Sequence, residues 1–140
     1  MKNNNPFYWV AIITAFVSFL GIIVDKPHID PNIFDFYKYG RILFGVNSLV
    51  LLFLYHQNKI SLSSAAEVAL INLMFYSIHG QLFVPCYYLG YIESLLIITL
   101  YFPLRKKNLY AIMGLATPLM VLAIITVGLP WFFDARSYAA

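Results

Sequence analysis

Arg41, His79 and Glu93 each stand inside a long apolar run. Ionisable side chains are expensive in lipid, so they mark either a tie between helices or a site for a proton, an ion or a ligand. Glu93 is the sharpest of the three. Its neighbours Leu89, Ile92, Leu95, Leu96 and Ile97 leave nothing in its own helix to stabilise a carboxylate, so a partner must come from elsewhere, from Arg41 or His79. His79 belongs to a helical row with Asn72, Phe75, Tyr76 and Phe83, which makes one face both polar and aromatic. Apolar walls with a few convergent polar groups are the make-up of a ligand pocket. Arg41, Asn72, Tyr76, His79 and Glu93 are therefore the candidate ligand-binding residues. The competing reading is an Arg41 to Glu93 ion pair that only holds two helices together, with Asn47, Ser48 and Asn72 adding interhelical hydrogen bonds.

Other chemistry finds little support. His28, His56 and His79 lack metal-ligand spacing, and no G-x-S-x-G, P-loop or H-E-x-x-H string occurs. No catalytic residue, cofactor or metal is expected. A single cysteine, Cys86, excludes an intrachain disulfide and reads as a packing residue. Asp25, His28, Asp30 and Asp35 read as a solvated acidic loop.

The elements that would position these side chains are membrane spans. Five apolar runs, 6–24, 36–55, 68–84, 87–104 and 109–130, each approach the roughly 20 residues that a helix needs to cross a bilayer. Across the chain 61% of residues are hydrophobic and 11% charged, against about 25% charged in a soluble domain. The fold class expected is an all-α polytopic transmembrane bundle, one domain over residues 1–140. The net charge of +3 lies at helix ends, so the lipid bilayer is the partner and nucleic acid is not. The stretch after Met1 to Asn5 is too long for a signal peptide and lacks a small-x-small cleavage site, and it reads as a retained first span.

Connectors set the expected orientation. Lys2, Lys59 and the cluster Arg105-Lys106-Lys107 fall on one side, Lys26, Lys38, Arg41 and Arg136 on the other. The dense cluster decides for an inside N-terminus and an outside C-terminus. Gly80, Pro85 and Gly90, with Tyr87, Tyr88 and Tyr91, mark the turn between spans three and four, a re-entrant loop being the alternative. Ser64 and Glu67 read as a capping box, and Thr117-Pro118 as a kink in span five. Arg41, His79 and Glu93 then sit about five residues below the outer ends of their spans, a depth of roughly 7 to 8 Å. Equal depth predicts that they meet.

An inside N-terminus, very short connectors, aromatic-rich spans and the stretch from Glu93-Ser94-Leu95 through Phe102-Pro103-Leu104 to Arg105-Lys106-Lys107 weakly resemble the multi-span sensor domains of bacterial receptor histidine kinases and membrane-bound nucleotide cyclases. The resemblance implies a membrane-embedded signal-receiving module in the bacterial cytoplasmic (inner) membrane, taking a small apolar ligand. Such receptors carry six spans before a cytoplasmic domain. Five are seen here, so a fragment ending before a sixth is one expectation. A small enzyme acting on a lipid or apolar substrate, and a small transporter or accessory subunit, are the alternatives. Self-association and a partner membrane subunit are both open.

Overall fold

Each apolar run winds into a helix, which satisfies its own backbone hydrogen bonds without help from solvent. A computed structural model describes residues 5–84 and 87–128. Lys2, Pro85, Cys86, Pro130 and Arg136, which enter the expectations above, lie outside them. The described residues form five α-helices and no strand: α1 Pro6–Val24, α2 Phe34–His56, α3 Leu62–Gln81, α4 Tyr88–Tyr101 and α5 Lys106–Ala123, the last widening into a π-helical turn, Ile124–Gly128. Three are long and apolar enough to cross a membrane: α1, α2, and α5 with its extension, Lys106–Val127.

Local chemistry sets the ends. Asn5 caps α1 by accepting the Phe7 N–H at 3.0 Å, and Pro6 at the first helical position has its φ preset. After α2, Asn58 takes the left-handed conformation (φ 58°) and the Lys59 N–H reaches back to the Leu54 carbonyl at 2.9 Å. This Schellman closure turns the chain into α3. Between α1 and α2, a 3-10 turn at Lys26–His28 and an Asx turn, in which Asp30 accepts the Asn32 N–H at 2.9 Å, carry the chain over.

The third helix departs most from the expected run. It starts six residues before Val68, capped by Ser61, whose hydroxyl accepts the Ser64 N–H at 3.2 Å. The expected Ser64 to Glu67 box is therefore replaced by a cap at Ser61. Glu67 instead reaches across to the start of α5, where it accepts from Arg105 Nε at 2.8 Å, Arg105 Nη2 at 2.6 Å, the Arg105 N–H at 3.1 Å and Asn108 Nδ2 at 2.9 Å. Those hydrogen bonds from Arg105 hold its carboxyl down to about 2. Here, before the apolar stretch begins at Val68, the side chain stays ionised and ties α3 to α5. Ser63, which donates to the Pro103 carbonyl, ties the end of α4 to the same place.

Helix α3 is also the axis of the bundle. It packs against α2, α4 and α5, while α1 packs mainly on α2 and touches α3 more lightly. Twelve of its twenty residues are buried, against five of nineteen in α1 and two of fourteen in α4. Many of those twelve are small or polar, such as Ala65, Ala66, Ala69, Ser77 and Gly80. A helix enclosed by other helices gains from small residues that allow close approach rather than from hydropathy. The outward faces of the bundle carry large apolar side chains, Phe16, Ile23, Phe36, Leu100 and Leu115 among them.

Candidate functional site

Arg41 is the largest side chain with no exposure at all. Its guanidinium lies over three tyrosine rings, 3.8 Å from the ring centre of Tyr76, 4.5 Å from Tyr87 and 4.8 Å from Tyr37. Each ring presents the negative face of its quadrupole to the cation. Nη1 donates to the Tyr76 carbonyl at 3.4 Å, while Nε and Nη2 have no hydrogen-bond partner among the described residues. The counter-charge stands one layer further out. Tyr37 and Tyr87 both donate their hydroxyls to the same carboxylate oxygen of Asp25, the residue that ends α1, and the two hydroxyls are 3.3 Å apart. Asp25, half-buried, is thus tied to the Arg41 cage through two tyrosine hydroxyls and does not stand free in a solvated acidic loop.

His79 joins the cage from α3. Its imidazole stacks on Tyr37 at 5.8 Å, with Phe44 and Phe83 at 5.6 and 5.1 Å. Its Nδ1 has no hydrogen-bond partner among the described residues. Two glycines make the room: a Cβ at Gly40 would stand 2.2 Å from His79 Nε2, and one at Gly80 would stand 2.3 Å from Arg41 Nη2. Asn72, two turns along α3, donates to the Phe44 carbonyl at 3.2 Å and to the Ser48 hydroxyl at 3.0 Å, binding α3 to α2.

Glu93 is elsewhere. It is exposed, and it faces a laterally open cleft of about 530 Å³ between α1, α3 and α4, whose walls include Trp9, Ile13, Leu73 and Ile97. The ion pairs among the described residues are Lys38 with Asp35 and Arg105 with Glu67. The expected meeting of Arg41 with Glu93 does not occur. Equal depth along a span says nothing of direction around it, and α4 packs on α3 without a comparable contact with α2. Tyr76 is common to both places: its ring covers Arg41, and it also lines the cleft. Of the five candidate residues, Arg41, His79 and Tyr76 come together, Asn72 acts between α2 and α3, and Glu93 shares only Tyr76 with the rest.

Comparison of the chain with protein families, with curated proteins and with solved structures finds no match. The chemistry of the site therefore rests on its geometry.

The residues that sequence reasoning passed over are Tyr37, Tyr87 and Asp25. Tyr37 precedes Arg41 by four positions, the spacing that puts two side chains on one helical face, and that signal was open to view. Tyr87 reads only as an interfacial residue until the turn before α4 brings it over Arg41. Neither the cage nor the cleft holds a cluster of three metal-ligating residues among those described. What the arrangement offers is a rigid buried cation on one side of Tyr76 and an open apolar cleft with a carboxylate on the other.

Proposed function

We propose that this chain is a membrane-embedded, ligand-binding module of the signal-receiving kind, whose ligand enters the cleft between α1, α3 and α4 from the bilayer. The observation that carries the reading is the cleft itself: about 530 Å³ of apolar space, within the range of ligand sites, with one carboxylate projecting into it. Tyr76 supplies the coupling. A ligand that moves this ring changes what covers Arg41, and through Tyr37 and Tyr87 what holds Asp25 at the end of α1.

The proposal places all five helices across the membrane, with the ends tied by Glu67 and Arg105 inside. Helix α3 packs against α2, α4 and α5 and more lightly against α1, so most of its surface meets protein and only a part, at Val68 and Ile71, is left for lipid. At about 1.5 Å per residue, the 14 residues of α4 rise only about 21 Å, so the bilayer beside the cleft is expected to thin or to lend a lipid to fill the step. Orientation is tested with a cysteine at position 106 in a chain whose Cys86 is replaced. A membrane-impermeant maleimide is expected to leave it unlabelled in intact cells and to label it after permeabilisation; labelling from outside overturns the orientation.

Ligand binding is tested by melting the full chain in bilayer discs against a panel of single-chain amphiphiles. Glycine 90 gives a way to close the cleft, because a Cβ there would meet only Ser77 Oγ, at 3.6 Å. Gly90→Leu also removes a helix-interior glycine, which favours folding. Compounds that raise the melting temperature of the native chain by several degrees are expected to lose that effect in Gly90→Leu. Stabilisation that persists in the variant places the ligand outside the cleft and sinks the reading.

A further inference from the structure

The polar lining of the cleft is uneven in one respect. Thr14, Ser77 and Ser94 each bring a hydroxyl to its wall. A hydroxyl carries one proton, and each of these donates it to a carbonyl one turn back in its own helix: Thr14 to Val10 at 2.7 Å, Ser77 to Leu73 at 3.0 Å and Ser94 to Gly90 at 2.6 Å. What remains toward the cleft is lone pairs. Glu93 adds a carboxylate, an acceptor on both oxygens. Backbone N–H groups along the helical walls are held within the helices. The donors that do line the cleft, the Trp9 indole and the Tyr101 hydroxyl, are exposed side chains near the other end, at the start of α1 and the end of α4.

The acceptors at Glu93, Ser77 and Ser94 call for an occupant that donates, and a negative charge between apolar surfaces calls for a positive one. The primary ammonium group answers both, having three donors, no acceptor and one positive charge. We propose that the cleft selects an amphiphile with a primary ammonium head, seated between Glu93, Ser77 and Ser94, with its apolar body running along α4 toward Phe102. The nine-residue step from Glu93 to Phe102 gives that body roughly 14 Å of wall. The proposal rests on the ligand-binding reading above and narrows it to a chemical class. A quaternary ammonium lacks the donors, an alcohol lacks the charge, and a carboxylate meets repulsion.

The test titrates the full chain in phosphatidylcholine discs with decylamine, decyltrimethylammonium, decanol and decanoate, following the melting temperature, and repeats each series with Glu93→Gln and Gly90→Leu. Because Glu93 is exposed and glutamine is its isostere, the variant is expected to fold. Decylamine should bind at least about tenfold more tightly than the other three, and Glu93→Gln should remove that preference, since a charged hydrogen bond is worth about a factor of ten or more. A second arm adds phosphatidylethanolamine to the discs. Competition with decylamine there assigns the ammonium to a membrane lipid headgroup, and its absence assigns it to a free amine. Equal binding of decanol and decylamine, or a preference that survives Glu93→Gln, overturns the ammonium assignment. If the amphiphiles then still depend on Gly90, the cleft remains the site and only the class is wrong. If Gly90→Leu leaves all binding intact, the cleft reading falls as well.

Discussion

Gly80→Ala and Gly40→Ala are each expected to destabilise the bundle by about 2 kcal/mol, at the middle of the range for forcing volume into a packed core. At Gly80 the added Cβ would stand 2.3 Å from Arg41 Nη2 and 2.5 Å from the Tyr87 ring. Arg41 cannot swing aside, because three rings enclose it, and Tyr87 is held by the Asp25 carboxylate. At Gly40 the added Cβ would stand 2.2 to 2.8 Å from three atoms of the His79 ring, which Tyr37, Phe44 and Phe83 pin in place. Alanine is the better helix former by roughly 0.5 to 1 kcal/mol, so the clash must exceed that gain for the sign to hold. Gly114→Ala is the control: no atom lies within 4 Å of its would-be Cβ, and the substitution is expected to leave the melting temperature unchanged or slightly higher. The comparison uses melting of the purified protein in detergent. Loss at all three positions would indicate a general intolerance of the helices, and loss at none would mean that the cage is open.

The helices were legible in the sequence and their arrangement was not, for a physical reason that α3 illustrates. Hydropathy reports what a residue would prefer as solvent, and in α1, α2 and α5 that solvent is outside the bundle, so the apolar runs and the helices nearly coincide. Helix α3 meets protein over most of its surface. Its first turns, with Ser63, Ser64 and Glu67, read as a loop because their polarity was weighed against lipid, whereas Glu67 has its charge met by Arg105. The candidate site divides along the same line. Arg41, Tyr76 and His79 could be singled out as costly or aromatic groups inside apolar runs, and they do gather. Their separation from Glu93 depends on which side of α3 receives α4, a property of packing that depth along a span does not contain. Tyr37 lay within reach through its spacing to Arg41. Asp25 did not, since a carboxylate in a loop with two prolines gives no sign that two distant tyrosines will converge on it.

That convergence predicts a specific coupling. If Asp25 is the counter-charge of Arg41, relayed through the Tyr37 and Tyr87 hydroxyls, then removing either charge lowers the cost of removing the other. Asp25→Asn takes away the charge and keeps the shape. Arg41→Met takes away the guanidinium, together with its unpartnered Nε and Nη2 donors, and leaves a long, polarisable chain suited to the same aromatic walls. The cost of Asp25→Asn has two parts, weaker acceptance of the tyrosine hydroxyls and an uncompensated cation behind them, and only the second vanishes once Arg41 is methionine. Asp25→Asn should therefore cost about 1 kcal/mol less in the Arg41→Met background than alone, within the range for residues in one network. Arg41→Met with Glu93→Gln makes the opposite case, since no ion pair joins them and the Tyr76 ring stands between their surroundings. Those two changes should add to within about 0.5 kcal/mol. Unfolding free energies of the three single variants and the two double mutants, measured in one detergent, decide it. Additivity of Asp25 with Arg41 would detach the carboxylate from the cage, and coupling of Arg41 with Glu93 of the same size would return the cation to the cleft.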